Sequence, residues 1–192
     1  STSKLQSGFS GLTSKIIAAG TAIGTAFGIK SILRVGADVE RLQLRFQFLF
    51  RSVDEGTEAF RTLVRFAGEV PFTLEEIQRG AANLAVVSKN AEELGENLKL
   101  VGNIAAVSGL DFQTAAEQLQ RSFSSGIAAS ELFRERGVKA LLGFQDGVSF
   151  TVEETRKKFQ EAFGPGGPYE KAAFALASTF DGVLSILQDK LL

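Results

Sequence analysis

Residues Val70–Gly126 read VPFTLEEIQRGAANLAVVSKNAEELGENLKLVGNIAAVSGLDFQTAAEQLQRSFSSG, and this stretch carries the start and stop signals of three short helices. Thr73 is followed three residues later by Glu76, and Asn90 by Glu93. At this spacing the first side chain accepts a bond from a free backbone N–H at the helix start, and the acid reciprocates. The stretch therefore predicts a compact helical unit.

The third helix and two helix ends have signals of their own. Asp111 is expected to open the third helix, and Gly109 and Gly126 supply left-handed positions at which helices commonly end. Each helix also has a seam of apolar residues three or four apart. The three seams are Leu74/Ile77/Ala81/Leu84, Leu94/Leu98/Val101/Ala105 and Phe112/Ala115/Leu119/Phe123.

Further capping pairs lie on both sides of this unit. They are Ser52 with Glu55, and Thr151 with Glu154. The first is expected to open a helix that stops before Pro71, because a proline disfavours the helical conformation of the residue before it. Ser130 is expected to open a weaker helix that Gly137 interrupts.

Composition excludes several classes of function. The chain has 192 residues, of which 44% are apolar, so it can build a real core. With 21 basic and 22 acidic residues it lacks the excess positive charge of a protein that binds nucleic acid. It has no Cys and no His, so thiolate nucleophiles, Cys/His zinc sites and histidine catalysis are absent. It also has no Met and ends within an apolar helical pattern, so we expect a fragment of a longer protein.

The N-terminal region has a stripe of glycines. Gly20, Gly24 and Gly28 lie four apart within fourteen uncharged residues between Lys15 and Lys30. Such a stripe lets two helix backbones approach closely, in a soluble bundle or in a membrane. Fourteen residues rise only about 21 Å as a helix, which is too short for a resident membrane span. Transient insertion of residues 8–29 stays open as an alternative.

After the glycines a helical seam continues toward the capped unit, and we expect it to mediate self-association or membrane contact together with the glycine stripe. Its members are Ile32, Val35, Val39, Leu42, Phe46 and Leu49. The residues from 42 to 50 also alternate as in a half-buried strand, but no turn separates them from the helix upstream. We therefore predict a helix, on which Leu44, Phe48 and Phe50 form a second apolar surface that something must cover.

The predicted fold class is all-α. Its parts are a long Gly/Ala-rich helix over residues 1–52, a helical bundle over 53–163, a hinge or linker at 164–168 and a truncated amphipathic helix over 169–192. As a straight rod from Leu12 to Ser52 the first helix would be roughly 60 Å long, whereas a compact globule of this size is about 40 Å across. It would protrude and need partners, unless a bend at Gly36 folds it back.

Paired acids are the residues with which a hydrolase site would be built. They are Glu75/Glu76, Glu92/Glu93 and Glu153/Glu154. Each pair lies in the first turn of a predicted helix, where it favours the helix dipole and the caps, so we expect no catalytic role. No phosphate-binding loop motif occurs either. We expect no enzyme activity, no cofactor, no metal and no specific nucleic-acid binding.

An ordered series of phrases resembles the phage tail tape measure protein family. The phrases are GFSGLTSKIIAAGTAIGTAFGIKSIL, FAGEVPFTLEEIQRGAANLAVVS, LGENLKLVGNIAAVSGLDFQTAAEQLQRSFSSG, GVSFTVEETRKKF and AAFALASTFDGVLSILQDKL. The resemblance implies an internal segment of a long helical protein that fills the tail tube or tail tip, sets tail length during assembly and leaves at genome delivery. It also implies few copies, suggesting a trimer, contacts with tail tube and tip proteins, possible host-membrane contact, assembly in the host cytoplasm and a final location in the virion.

Two rival functions follow from other features. The first is a membrane-active helical protein that inserts residues 8–29 to aid DNA passage. The second is a cell-wall hydrolase using Glu75 and Glu76, which we do not expect. Binding to lipid vesicles or leakage from them would support the first, and turnover of peptidoglycan would support the second.

Overall fold

The computed structural model describes residues 29–144 and 150–179, and within these ranges it contains helices and turns but no strand. The predicted all-α class is confirmed. The α-helices are α1 (Ile29–Phe50), α2 (Val53–Ala67), α3 (Leu74–Leu84), α4 (Ala91–Ser108), α5 (Phe112–Ser125), α6 (Glu131–Glu135), α7 (Val138–Leu141) and α8 (Val152–Phe163). Two 3-10 helices lie at Ala85–Val87 and Ile127–Ala129, and residues 172–179 are helical.

The chain divides into two compact units, Ser1–Arg41 and Leu42–Leu192. Of the first unit the structure describes residues 29–41, which are helical throughout, so the bend considered at Gly36 is not found. Residues 42–50 are also helical, which confirms the choice of helix over strand there. The first half of the predicted rod lies outside the described residues.

Within the second unit, the end of α1 and the start of α2 form a tight helical hairpin. Arg51 makes the turn with a positive φ of 53°, and the Ser52 N–H donates to the Gln47 carbonyl at 3.1 Å. A Cβ on Gly56 would lie 2.5 Å from Gln47, so a glycine is needed for the two helices to come this close. The Gln43 amide donates to the Thr57 hydroxyl across the same contact.

The core of the second unit is built where α2 packs against α4 and α3 packs against α5. A Cβ on Gly80 would lie 2.7 Å from the Phe112 ring, so α3 and α5 also approach through a glycine. The largest fully buried side chains include Phe46, Phe60, Phe112, Phe133, Phe159, Phe163, Leu63, Ile77, Leu84 and Leu94. Burial of each such side chain stabilises the fold by about 1.5–3 kcal/mol.

Helix ends agree with the sequence at some positions and differ at others. Gly109 ends α4 in the left-handed conformation, and Gly137, with φ of 74°, separates α6 from α7 as expected. Gly126 has a positive φ, but its ψ of 167° lies outside the left-handed helical region, because the chain leaves α5 there in an extended direction. Ser130 precedes α6 without capping it.

The glycine- and proline-rich residues 164–168 form a hydrogen-bonded turn in the described structure. The Gly167 N–H donates to the Gly164 carbonyl at 3.0 Å, and the Tyr169 N–H donates to Ala162 at 3.0 Å. A Cβ on Gly167 would lie 2.6 Å from two carbonyl oxygens of α8. The residues of the predicted hinge therefore form a bonded turn against the end of α8, and the division into domains, with its hinge, stays a prediction.

Candidate functional site

The paired acids lie at helix starts, as predicted, and their bonds serve the fold. At Thr73 the hydroxyl accepts from the Glu76 N–H at 3.3 Å, and the Glu76 carboxylate accepts from the Thr73 N–H at 2.9 Å. Thr151 and Glu154 make the same reciprocal pair, with distances of 3.1 and 2.8 Å. Both capping boxes are confirmed, and each acid is occupied in closing its own helix.

The other two capping pairs are only half made. The Ser52 and Asn90 side chains accept from the N–H groups of Glu55 and Glu93, as expected. The Glu55 carboxylate, however, accepts from the Ala91 N–H at 2.9 Å and so joins the start of α2 to the start of α4. The reciprocal half of the box predicted at Ser52 is wrong, because a backbone donor of another helix lies within reach.

Glu93 departs from its predicted box in a second way. One carboxylate oxygen accepts from the Lys89 N–H at 2.8 Å, and the other pairs with Arg156 at 2.9 Å. Arg156 also donates to the Val87 carbonyl at 2.9 Å, and its guanidinium carbon lies 4.3 Å from the centre of the Phe123 ring. This arginine connects α8 to α4, α5 and the 3-10 helix after α3, and the sequence analysis did not find it.

Asn103 forms a second junction that the sequence analysis missed. Its amide nitrogen donates to the carbonyls of Phe163 and Glu170 at 2.9 and 2.8 Å, and its amide oxygen accepts from the Ala173 N–H at 3.0 Å. The side chain is buried, so these bonds replace water completely. Asn103 therefore fastens the turn at 164–168 to the middle of α4. The sequence offered one signal for this junction, namely an amide side chain among the apolar residues of α4.

The carboxylates in the described part of the chain show no arrangement typical of a metal or acid–base site. No group of three or more acids there could hold a metal ion. Burial disfavours the charged form of Asp111, but bonds from the Thr114 hydroxyl and N–H outweigh it, and the pKa lies below its ordinary value. Bonds from the Thr151 N–H and hydroxyl also lower the pKa of Glu154. Both shifts are those of capping carboxylates.

The predicted seam of α1 faces inward where its side chains are described. Leu42 and Phe46 are buried, with exposed fractions of 7% and 0%, and Leu49 is 39% exposed. Leu42 and Phe46 are thus part of the interior of the second unit, and the self-association or membrane contact expected of this seam stays a prediction. At Ile32, Val35 and Val39 only the helical backbone is described, and Gly20, Gly24 and Gly28 lie outside the described residues.

The opposite face of α1 is the apolar surface left open. Leu44 is 46% exposed and Phe48 79% exposed, and Arg45 is exposed between them. These are two of the residues that the sequence placed outside the main seam. The third, Phe50, is half-buried and contacts Phe46, with ring centres 6.2 Å apart. We call Leu44, Arg45, Phe48 and Arg51 the α1 outer face.

A groove of about 440 Å³ lies between α2 and α4. Phe66 and Gly95 form its apolar part, and a Cβ on Gly95 would lie 2.8 Å from the Thr62 methyl group. Charged side chains surround it, namely Glu58, Arg65, Glu69, Glu92, Glu96 and Lys99. We call this site the α2–α4 groove. The sequence analysis did not predict it, since it depends on how closely two distant helices pack.

The amphipathic helix predicted over residues 169–192 is only partly described, and its described part is helical over 172–179. In the C-terminal helix Ala173 is buried, while Phe174 and Leu176 are 67% and 38% exposed. None of the helices in the described ranges is long and apolar enough to cross a membrane.

Comparisons with known proteins point to a phage. Over 97% of its length the chain is 28% identical to the Mu-like prophage FluMu protein gp42 of Haemophilus influenzae, and it spans 32% of that protein. No protein-family model matches the chain. No solved structure matches it either. The similarity supports a phage protein.

Proposed function

We propose that the chain is a structural, non-enzymatic segment of a phage tail tape measure protein. The observation that carries the proposal is the similarity to a prophage protein along 97% of the chain, which covers only 32% of that relative. A segment of a much longer protein would give this pattern. The ordered phrases of the sequence, from the glycine-rich helix to the last amphipathic helix, resemble the tape measure protein family.

The geometry of the described residues supports a structural role. The acids that a hydrolase would need cap helices or join them, as Glu76 and Glu93 do. The α1 outer face, in contrast, leaves Phe48 79% exposed. A large exposed aromatic side chain beside exposed leucine is typical of a surface that an assembly covers.

In this proposal the segment lies in the tail tube or at the tail tip. The full protein sets tail length during assembly in the host cytoplasm and is released at genome delivery. Its partners are a few further copies of itself, with a trimer implied by the family resemblance, and the proteins of the tail tube and tip.

The membrane-active alternative rests on residues 8–29, nearly all of which lie outside the described residues. No observation in the described part of the chain favours it. Leakage of lipid vesicles by the chain, lost when Gly20, Gly24 and Gly28 are changed to Leu, would support it instead.

The test uses the phage that encodes the chain. A second copy of the α1 sequence, 22 residues long, is inserted after Phe50 in the full-length gene. If the helix runs along the tail axis, the tail lengthens by about 33 Å, at 1.5 Å per residue. Tail length is measured by electron microscopy of purified particles, and antibody labelling places the segment.

The control is an insertion of equal length with the same helical residues in scrambled order. A protein that measures length by its extent should lengthen the tail equally with either insert. Particles that lack the segment, or that contain the longer protein with tails of unchanged length, would contradict the proposal.

A further inference from the structure

The α1 outer face combines apolar and basic side chains on one side of the helix. At 3.6 residues per turn, the buried Leu42 and Phe46 lie on one side of α1, and the exposed Leu44, Arg45 and Phe48 lie on the other side. Arg51 follows at the exposed turn. A partner for this face must therefore cover a phenyl ring and also offer negative charge.

The same face of a second copy does not meet that requirement. If two α1 outer faces met around a two-fold axis, Arg45 and Arg51 of one copy would approach the arginines of the other. Glu40 and Arg41, one turn before Leu44, are both exposed and carry opposite formal charges, so they leave the positive charge of Arg45 and Arg51 uncompensated. Like charges placed opposite each other across an interface cost free energy. Symmetric pairing through α1 is therefore disfavoured.

The α2–α4 groove has the complementary properties. Its rim has four carboxylates and two cationic side chains, and Phe66 and Gly95 lie within it. A volume of about 440 Å³ has room for a phenyl ring. Phe48 does not fill the groove of its own copy, because 79% of its surface is exposed.

We propose that the α1 outer face of one copy docks into the α2–α4 groove of a second copy. Phe48 enters the groove against Phe66, and Arg45 and Arg51 lie opposite Glu92 and Glu96. Two different surfaces meet, so each added copy leaves one face and one groove open, and the contact builds a ring or a row of copies. The inference does not depend on the proposed function, and its failure would leave the tape measure proposal intact.

The first experiment measures the self-association of the 192-residue chain by analytical ultracentrifugation. Assembly that rises with concentration and weakens as salt is raised about tenfold is expected, because the contact joins opposite charges. Phe48→Asp should block the face and Glu96→Arg should weaken the groove, each raising the dissociation constant about tenfold or more. A wild-type chain that stays monomeric at all concentrations overturns the proposal.

Mixing the two variants separates this contact from a symmetric one. Phe48→Asp retains a working groove, and Glu96→Arg retains a working face. At a protein concentration at which each variant alone is monomeric, head-to-tail docking therefore predicts a 1:1 heterodimer. A mixture that stays monomeric at that concentration contradicts the proposal, as do variants that assemble alone as tightly as the wild type.

Two further variants serve as controls. One is expected to strengthen assembly, and the other is expected to leave it unchanged. Lys99→Glu removes a cation from the groove rim and should tighten assembly about two- to fivefold. Val86→Asp changes an exposed apolar residue outside both surfaces, so it should assemble like the wild type. Circular dichroism checks that each variant is folded, and weaker assembly of a folded Lys99→Glu chain would count against the groove.

Discussion

Four helices of this protein begin with the same sequence motif, yet the motif acts in two different ways. At Thr73 and Thr151 the acid three residues later turns back and closes its own helix. At Ser52 and Asn90 the cap residue acts as expected, but the acid bonds elsewhere, Glu55 to the start of α4 and Glu93 to Arg156. The local half of the motif is fixed by spacing, whereas the acid binds whichever donor the fold brings within reach.

The difference separates polar side chains that serve one helix from those that hold helices together. Asn103 belongs to the second group, with partners 60 to 70 residues away along the chain. Bonds of the first group can be replaced by water when they are lost, because they lie at exposed helix starts. Bonds of the second group are partly or wholly buried, so their loss leaves unpaired polar atoms.

The largest effect is expected at Asn103. Asn103→Leu leaves the carbonyls of Phe163 and Glu170 and the Ala173 N–H without their partner, and should lower the free energy of unfolding by about 3 kcal/mol. Urea unfolding measures this. The control is Gln120→Leu, since Gln120 bonds only Ser124 one turn away on an exposed surface. Equal losses of unfolding free energy for the two variants would contradict the distinction between side chains that serve one helix and those that join helices.

The next effect is expected at Arg156 and Glu93. A double-mutant cycle with alanine at both positions should give a coupling of about 1–2 kcal/mol, because the pair is partly buried. The matched pair is Arg79 with Glu75, which is exposed and one turn apart within α3. Its coupling should be about 0.3–0.5 kcal/mol, as is usual for exposed helix pairs.

A smaller effect distinguishes two acids of the same motif. Glu55→Ala should cost about 1 kcal/mol, because the N–H of the buried Ala91 loses its acceptor. Glu76→Ala should cost about half as much, since water can replace the carboxylate at the exposed Thr73 N–H. Thermal unfolding of both variants checks the order, and a larger loss for Glu76→Ala would contradict it.

The smallest effect concerns pH. Bonds from Thr114 keep the pKa of Asp111 below its ordinary value despite opposing burial, so the folded chain binds this proton less readily than the unfolded chain. The resulting stabilisation is complete above the ordinary aspartate pKa and is lost as the pH falls below it, through the folded pKa. Asp111→Asn keeps a cap without the charge. The stability difference between wild type and this variant should therefore shrink over that acidic range.

Local chemistry made much of the fold predictable from the sequence. The starts of α2, α3, α4, α5 and α8 follow from caps that act within three residues, and the three internal seams are buried except at Leu74. Which side of α1 faces outward did not follow. Both the face with Phe46 and the face with Phe48 are apolar, and only the tertiary packing that buries Phe46 and leaves Phe48 exposed decides between them.

The sites missed by the sequence analysis share a cause. The α2–α4 groove exists because Gly95 lets α4 approach Thr62, 33 residues earlier in the chain. Arg156 lies in a run of charged residues whose pattern does not tell a structural cation from a solvated one. Residues 164–168 are likewise held by a distant residue, because Asn103, 60 residues before Phe163, bonds Phe163 and Glu170 on either side of the turn.

Arg51 lowers the stability of the monomer but contributes to the proposed docking contact. With φ of 53° this residue holds a left-handed backbone that costs an arginine about 1 kcal/mol and a glycine almost nothing. Arg51→Gly should therefore raise the thermal stability of the monomer and lower its affinity for a second copy. Selection for thermal robustness alone would then tend to replace the very side chain that recruits the next copy.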